Sequence, residues 1–269
     1  RVSFTALAGA QLNPADFGIR NGINQVGALP QINVAGGLNF GGPTQIPTGR
    51  GDTSFVASDT LSQLRGRHSL KFGGEFRRFY NNNNTLDSGA FQFPSVAAFV
   101  VGNANSFSIA LGNRSGSIAQ GALDFFALDS FKWRRNLTLE LGLRYEWNMS
   151  PTERFDRFYV FDPTRVALVN VGRDIDQVYK TNAQNLQPRV GVAWDPFKDG
   201  KTSVRVAYAI VTEQPVVQAV SSAVANPPNA TPLSFTGTIR LNNAIDLARA
   251  SGISLVSVDH NYKNTYVQS

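Results

Sequence analysis

The chain has 269 residues, 42% of them apolar, and a formal net charge of +6, a composition that allows a sizeable core and excludes simple disorder. The absence of cysteine excludes a disulfide scaffold, a Cys-ligated zinc site, an iron–sulfur cluster and a thiol nucleophile. With only His68 and His260, most hydrolase and metalloenzyme sites lack their parts, and no run of about 18 apolar residues could form a transmembrane helix. Transmembrane strands need no such run.

The first 52 residues are rich in Gly, Pro and Asn and form the first of three predicted regions. Short extended pieces are expected around Val2–Ala8 and Gln31–Ala35. A strand is then predicted from Thr53 to Leu64, and it reaches a short turn at 65–67.

The segment from Arg67 to Phe76 alternates between apolar and polar residues, which predicts a strand with one apolar and one charged face. Its apolar parity includes Leu70 and Phe72. Its opposite parity carries Lys71, Glu75 and Arg77.

A long connection at about 80–116 follows, and within it a short helix is predicted at Ser95–Val101. The mixed run Ser117–Trp133 is predicted to be a strand that ends in the turn 134–136. The segment Leu137–Trp147 alternates without exception and gives the clearest strand signal. Its apolar parity is Leu137, Leu139, Leu141, Leu143, Tyr145 and Trp147. Its polar parity is Thr138, Glu140, Gly142, Arg144 and Glu146.

After a second long connection at 149–187, two more strands are predicted around a short turn at 196–200. They are Val190–Trp194 and Val204–Ile210, with Val204 and Val206 opposite in parity to Arg205. A further strand is predicted at Pro232–Leu241, so that the middle region, 53–242, holds barrel strands with long external loops. The last region, 243–269, is predicted to be a short helix at Asn243–Ala250 and a tail leading to a missing strand.

Short and long connections therefore alternate along the chain, which in an up-and-down sheet places all short turns at one end and all long loops at the other. That asymmetry is typical of outer-membrane barrels. The predicted fold class is all-β: an antiparallel up-and-down transmembrane β-barrel, or an arc of one.

Period two alone also fits a soluble β-sandwich or barrel with its apolar faces turned inward. Strands of about 11 residues, aromatic residues near strand ends and mixed charges on the polar faces favour lipid outside and a polar lumen inside. The predicted lumen-facing residues are Lys71, Glu75, Arg77, Glu140, Arg144, Glu146 and Arg205. The predicted lipid-facing residues are Leu70, Phe72, Leu139, Leu141, Leu143, Val204 and Val206. The predicted interface aromatics are Tyr80, Trp133, Tyr145, Trp147 and Trp194.

Seven segments resemble, in the same order, the barrel of TonB-dependent outer-membrane receptors, specifically the Oar-like branch common in acidobacterial genomes. They are Gly66–Arg77, Asp129–Glu146, Ser150–Glu153, Phe161–Pro163, Gln187–Phe197, Asp199–Arg205 and Val258–Gln268. The resemblance implies a large barrel of about 22 strands, closed by an N-terminal plug that contacts a TonB-type energy-coupling protein. Plug and external loops would recognise the solute.

This chain supplies seven or eight predicted strands and no identifiable plug, so we expect the middle of a receptor barrel: a fragment, a divergent small barrel or part of an assembly. The expected partners are the lipid bilayer with lipopolysaccharide, the TonB-type protein through a plug not present in this chain, and an unknown solute. The loops at 80–116 and 149–187 would meet that solute. Because the basic residues are scattered rather than clustered, no nucleic acid partner is expected.

The expected location is the bacterial outer membrane and the expected function is non-enzymatic, with no cofactor and no metal. One alternative is a soluble all-β binding or structural (filament or assembly) module that recognises carbohydrate or peptide, in which Leu141 is a dry core position. An all-β hydrolase using Glu140 and Glu146 is a third hypothesis, and it lacks a base.

Overall fold

The computed structural model describes residues 14–19, 29–41, 45–181, 183–213, 217–253, 255–262 and 265–268. Antiparallel strands dominate, as the alternation predicts. The extended piece expected at Val2–Ala8 lies outside the described residues. Among the described residues, no helix is long and apolar enough to cross a membrane.

The strands follow the chain as β1 (Gln31–Val34), β2 (Leu38–Phe40), β3 (Gln45–Arg65), β4 (His68–Asp87), β5 (Ala90–Phe93), β6 (Asn103–Gly112), β7 (Gly116–Arg134), β8 (Leu137–Asn148), β9 (Thr152–Glu153), β10 (Tyr159–Asp162), β11 (Ala167–Asn170), β12 (Leu186–Trp194), β13 (Val204–Thr212), β14 (Ala230–Arg240) and β15 (Tyr266–Gln268). The α-helices are α1 (Val96–Val100), α2 (Gln218–Ser221) and α3 (Ala244–Ala250). Short 3-10 helices occupy Pro14–Phe17 and Ser222–Ala225.

The larger sheet has the order β15-β13-β12-β8-β7-β4-β3, and β9 pairs with the far end of β7. Strands that follow each other in the chain pair as β3 with β4, β7 with β8 and β12 with β13, so the sheet is up-and-down. Within the described residues the sheet is an open arc, with β3 and β15 at its edges.

The predicted separation of short turns from long connections is confirmed. The turns after β3, β7 and β12 lie at one end, and the connections after β4, β8 and β13 lie at the other. Asp195 organises the last of the short turns, because its carboxylate accepts hydrogen bonds from the backbone N–H of Lys198 at 2.8 Å and of Gly200 at 2.9 Å. Both donors have positive φ, which the carboxylate stabilises.

Two of the long connections, together with the described strands before β3, form a second sheet, here called the cap. In the cap, β14, β6, β5, β1 and β2 form a five-stranded sheet, whereas the connection between β8 and β12 holds a separate two-stranded sheet of β10 and β11. Its core packs Phe91, Phe107, Leu233 and Ile239 against α3. Helix α1 begins where predicted, because the hydroxyl of Ser95 accepts a hydrogen bond from the backbone N–H of Ala98.

The strand predicted at Pro232–Leu241 exists as β14, but its placement among the barrel strands is wrong. It pairs with β6 in the cap sheet, from Ala230 opposite Gly112 to Arg240 opposite Asn103. Alternation along a strand is a local property and does not say which partner the strand will join.

The strands β3 and β4 are longer than predicted. β3 begins at Gln45 instead of Thr53, and β4 continues to Asp87. The added residues pair with each other, with Arg50 opposite Asn83 and Asp52 opposite Asn81, so the hairpin extends into the cap layer. The tail expected to lead to a missing strand itself forms β15, which pairs with β13.

Candidate functional site

Most of the apolar residues of the large sheet share one face, here called the outward face. Phe72 lies opposite Ala127, Ala127 opposite Leu143, and Leu143 opposite Pro188, so these side chains lie on the same face of the sheet. The predicted lipid-facing residues on this face are Leu70, Phe72, Leu139, Leu141, Leu143, Val204 and Val206. Leu141 is 55% exposed and Val206 is 67% exposed, so neither is a dry core residue.

The predicted interface aromatics lie at two levels of the outward face. Trp133 and Trp194 lie beside the short turns, whereas Tyr80, Tyr145 and Trp147 lie toward the cap. Trp194 pairs with Leu137, and Leu137 is about ten residues from Trp147 in the same strand, or about 34 Å. With a tilt of about 40°, that length corresponds to about 26 Å along a membrane normal, close to the apolar band of a bacterial barrel.

The predicted lumen-facing residues share the opposite face, here called the inward face: Lys71, Glu75, Arg77, Glu140, Arg144, Glu146 and Arg205. Their environments differ along the strands. Lys71, Glu140 and Arg205, nearer the short turns, are exposed, whereas Glu146 is only 5% exposed.

The buried part of the inward face contains a charge cluster centred on Asp124, which is 1% exposed. Its Oδ2 atom lies 2.7 Å from Arg77 Nη2 and 3.1 Å from Arg144 Nη2. Arg77 also contacts Glu75 at 3.0 Å and Glu146 at 3.5 Å. One buried carboxylate thus holds two guanidinium groups, and two further carboxylates balance them.

Amide side chains extend this cluster across the sheet. Asn148 Nδ2 donates to Glu146 Oε1 at 3.0 Å, and Gln187 Nε2 lies 3.3 Å from Glu146 Oε2 and 2.6 Å from the hydroxyl of Thr212. The network therefore links five neighbouring strands, β4, β7, β8, β12 and β13, at one level of the inward face. Such a network orients charged groups that an apolar wall would leave unpartnered.

A cavity of about 820 Å³ adjoins the charge cluster on the inward face. It combines guanidinium, carboxylate and amide groups with apolar surface. The lining includes Arg77, Arg144, Arg189, Glu146 and Gln187 as well as Phe126, Leu128 and Val211. Its size falls within the range of about 300–1,000 Å³ of small-molecule sites.

The connection between β8 and β12 folds over the inward face on the cap side of this cavity. Gln120 Nε2 donates a hydrogen bond of 3.2 Å to the hydroxyl oxygen of Tyr179, which belongs to that connection. Tyr179 also packs in one apolar cluster with Ile118. Gln120 and Ile118 belong to the inward parity, opposite Phe79 and Asn81 of β4. The connection therefore covers part of the lumen side of the sheet.

Burial raises the pKa of Tyr179 to about 12, and the neighbouring Tyr262 adds to the rise, while the hydrogen bond with Gln120 opposes it. Because folding favours the protonated phenol, its contribution to stability is complete below about pH 10 and is lost as the pH rises toward 12. We expect the chain to lose stability over this window more steeply than a Tyr179→Phe variant. Chemical unfolding of both proteins at pH 9, 10, 11 and 12 measures the difference, and parallel pH profiles would contradict the assignment.

Sequence reasoning missed Asp124, Gln187 and Tyr179. Asp124 interrupts an apolar run, Ala122–Leu128, and a lone acid in such a run is the signal that could have indicated a buried ion pair. His68 has a partner that its sequence position does not reveal, since its Nδ1 lies 2.7 Å from Asp129 Oδ2 beside the short turns. Within the described ranges, no group of three or more acidic or histidine side chains is placed to hold a metal ion.

The family model described as an outer membrane beta barrel domain matches residues 2–269 of the chain. No curated protein and no solved structure matches it. The match spans nearly the whole chain and agrees with the antiparallel arc, the apolar outward face and the separation of turns from long connections. The location is thus the bacterial outer membrane, and the chain belongs to the outer membrane beta barrel domain family.

Proposed function

We propose that the chain forms part of the barrel of a TonB-dependent receptor, which binds a bulky solute and passes it through a plugged lumen. The observation that carries the proposal is the cavity on the inward face, beside a buried charge cluster and under a connection folded toward the lumen. The resemblance of seven ordered segments to Oar-like receptors supports the same function.

The orientation of the proposed receptor follows from its connections. Bacterial barrels have short turns on the periplasmic side and longer loops outside. The turns after β3, β7 and β12 would therefore be periplasmic, and the cap would be external. A solute arriving from outside would meet the cap before it reaches the cavity.

The chemistry of the cavity favours a solute with both polar and apolar parts. One buried atom of a side chain that lines the cavity, Arg144 Nε, has no hydrogen-bond partner among the described residues. A buried polar atom without a partner is costly, so a bound solute that supplies one gains affinity. Apolar parts of the solute would lie against Phe126, Leu128 and Val211.

The open edges of the arc support a larger assembly. β3 is 21 residues long and has β4 as its only described neighbour in the sheet. An unpaired strand edge is costly in lipid, because the backbone groups find no water there. We propose that additional strands, from the same protein or a partner, complete the wall.

The test measures energy-dependent uptake by cells that make the whole protein containing this chain. A panel of labelled solutes is added to cells with and without the protein. Both kinds of cell are tested in the presence and in the absence of the TonB-type coupling protein. We expect accumulation of at least one solute to need both. As a second measurement, the purified protein in a planar bilayer should give no continuous ion current, because the lumen is plugged. Uptake that survives loss of the coupling protein, together with a steady pore current, would contradict the proposal in favour of a passive pore.

The soluble alternative is contradicted, because it required Leu141 to be a dry core position and the family match places the protein in the outer membrane. We also propose that the protein is not an enzyme. The all-β hydrolase hypothesis needs Glu146 as a free acid or base, and its two oxygens are held by Asn148, Arg77 and Gln187. Glu140, its supposed partner, lies exposed nearer the short turns.

A further inference from the structure

A second cavity lies on the outward face, at the cap end of the apolar band. It measures about 490 Å³ and is lined almost entirely by polar and cationic side chains. Its lining consists of Thr53, Arg78, Tyr80, Asn82, Ser117, Ala119, Thr152 and Arg154. None of these residues takes part in the charge cluster of the inward face.

The strand register shows why these residues meet. Thr53, Tyr80, Ala119 and Thr152 lie side by side on β3, β4, β7 and β9. The next row toward the cap is formed by Asn82 and Ser117, and the backbone N–H of Arg154 donates to the carbonyl of Ser117 at 2.9 Å. These residues therefore lie on the outward face, the same face as the predicted lipid-facing residues Leu70 and Phe72.

Arg78 is the residue that departs from the apolar pattern of this face. Its neighbour Arg77 faces inward to Asp124, whereas Arg78 lies outward, with its guanidinium 5.8 Å from the centre of the Tyr80 ring. Gly121 lies opposite Arg78, and a Cβ atom there would stand 2.7 Å from Met149 Sδ and 3.4 Å from Arg78 Nη1. The glycine thus leaves room for the thioether of Met149, and the guanidinium of Arg78 lies over the same position of the strand at an ordinary contact distance.

The cavity carries uncompensated positive charge. Arg154 lies with its guanidinium 5.5 Å from the centre of the Phe155 ring. Among the described residues, no carboxylate comes within 4 Å of the guanidinium group of Arg78 or of Arg154. Two guanidinium groups at one cavity, with hydroxyl and amide groups between them, form a typical site for phosphate oxygens.

The position of the cavity selects the source of the phosphate. Tyr80 marks the cap-side limit of the apolar band, where lipid headgroups begin. Directly below, toward the short turns, the same face presents Phe55 and Phe76, whose ring centres lie 6.3 Å apart, and Phe125, which is 57% exposed. A lipid can place its phosphates on the arginines and its acyl chains along these rings, whereas a free anion would use only the arginines.

We infer that Arg78 and Arg154 bind the phosphate groups of a phosphorylated lipid of the outer leaflet, of the lipopolysaccharide type. The inference rests on the outer-membrane location and on an external cap, and it does not require transport or a TonB-type partner. It goes beyond the proposed function, because it assigns a lipid site on the outer wall of the barrel.

The test measures binding of fluorescent diphosphorylated lipid A to the purified protein in detergent. We expect the double variant Arg78→Gln/Arg154→Gln to bind at least about tenfold more weakly, since each guanidinium contributes a charge-assisted hydrogen bond. The matched control Arg135→Gln/Lys201→Gln removes the same charge at the short-turn end, where both residues are exposed, and should bind as the unaltered protein does. Heat-modified mobility on gels shows that each variant is folded.

Two further arms separate lipid from free anion. Dephosphorylated lipid A should bind the unaltered protein and the double variant equally weakly, and inorganic phosphate should displace lipid A only at far higher concentration. A folded double variant that retains full affinity for diphosphorylated lipid A would overturn the inference. Displacement by inorganic phosphate at the concentration of the lipid would also overturn it, in favour of a soluble-anion site.

Discussion

Leu141→Arg is expected to block assembly of the sheet in a lipid bilayer. Leu141 lies near the middle of β8, between the two levels of aromatic residues, and 55% of its surface is exposed on the outward face. Placing an arginine on the lipid-facing wall near mid-bilayer costs about 2–4 kcal/mol. The free energy of unfolding in vesicles, measured by urea titration, and the folded fraction on gels should both fall.

A matched control places the same arginine on the other face. Ala207 pairs with Gly191, belongs to the inward parity and is exposed. Because an arginine there remains in a polar lumen, Ala207→Arg should assemble nearly as the unaltered chain does. If Leu141→Arg assembles in vesicles as readily as Ala207→Arg, the assignment of the two faces is wrong.

Asp124→Asn is expected to destabilise the barrel from within. The variant keeps the shape of the side chain but removes the charge shared by Arg77 and Arg144. Removing one partner of a buried ion pair costs about 3–5 kcal/mol. We expect a value of about 3 kcal/mol, at the lower end of that range, because the side chain of Arg144 is 42% exposed and water screens part of its charge. Urea unfolding in vesicles or detergent measures the loss.

Glu140→Gln is the matched control, since it neutralises an exposed carboxylate on the same face and should change stability by less than about 0.5 kcal/mol. A double-mutant cycle with Arg77→Gln measures the interaction between Asp124 and Arg77. The double variant should lose much less stability than the sum of the losses of the two single variants. Equal, small losses for Asp124→Asn and Glu140→Gln would show that the cluster does not stabilise the inward face.

These two substitutions probe the two solvents that the sheet separates. The outward face presents leucine, valine and aromatic side chains, and the inward face holds charge by pairing it. In the proposed receptor, the cavity beside Asp124 would have a wall whose charged groups are already oriented before a solute binds. Such preorganisation reduces the entropy lost on binding.

Much of this arrangement could be predicted from the sequence, because it depends on local periodicity. In β8, the apolar and polar parities run unbroken from Leu137 to Trp147, and alternation of side chains between faces is a property of any strand. The short turns could also be predicted, because only a few residues, typical of turns, separate the neighbouring strands there. Those two signals predicted the fold class and the separation of apolar from charged side chains, and the resemblance of ordered segments to outer-membrane receptors added the location.

The rest depended on residues brought together from distant parts of the chain. Asp124 forms its ion pairs with Arg77, 47 residues earlier, and with Arg144 on the next strand. β14 alternates like a barrel strand but pairs with β6 in the cap, and Tyr179 reaches the inward face only because its connection folds over it. Alone, the sequence determined which residues share each face of the sheet, because side chains alternate between the two faces along every strand. Only the tertiary structure decided which charges are buried, which loops become a cap and that Arg78 and Arg154 line one cavity, because those outcomes depend on strand register and on packing between segments far apart in the chain.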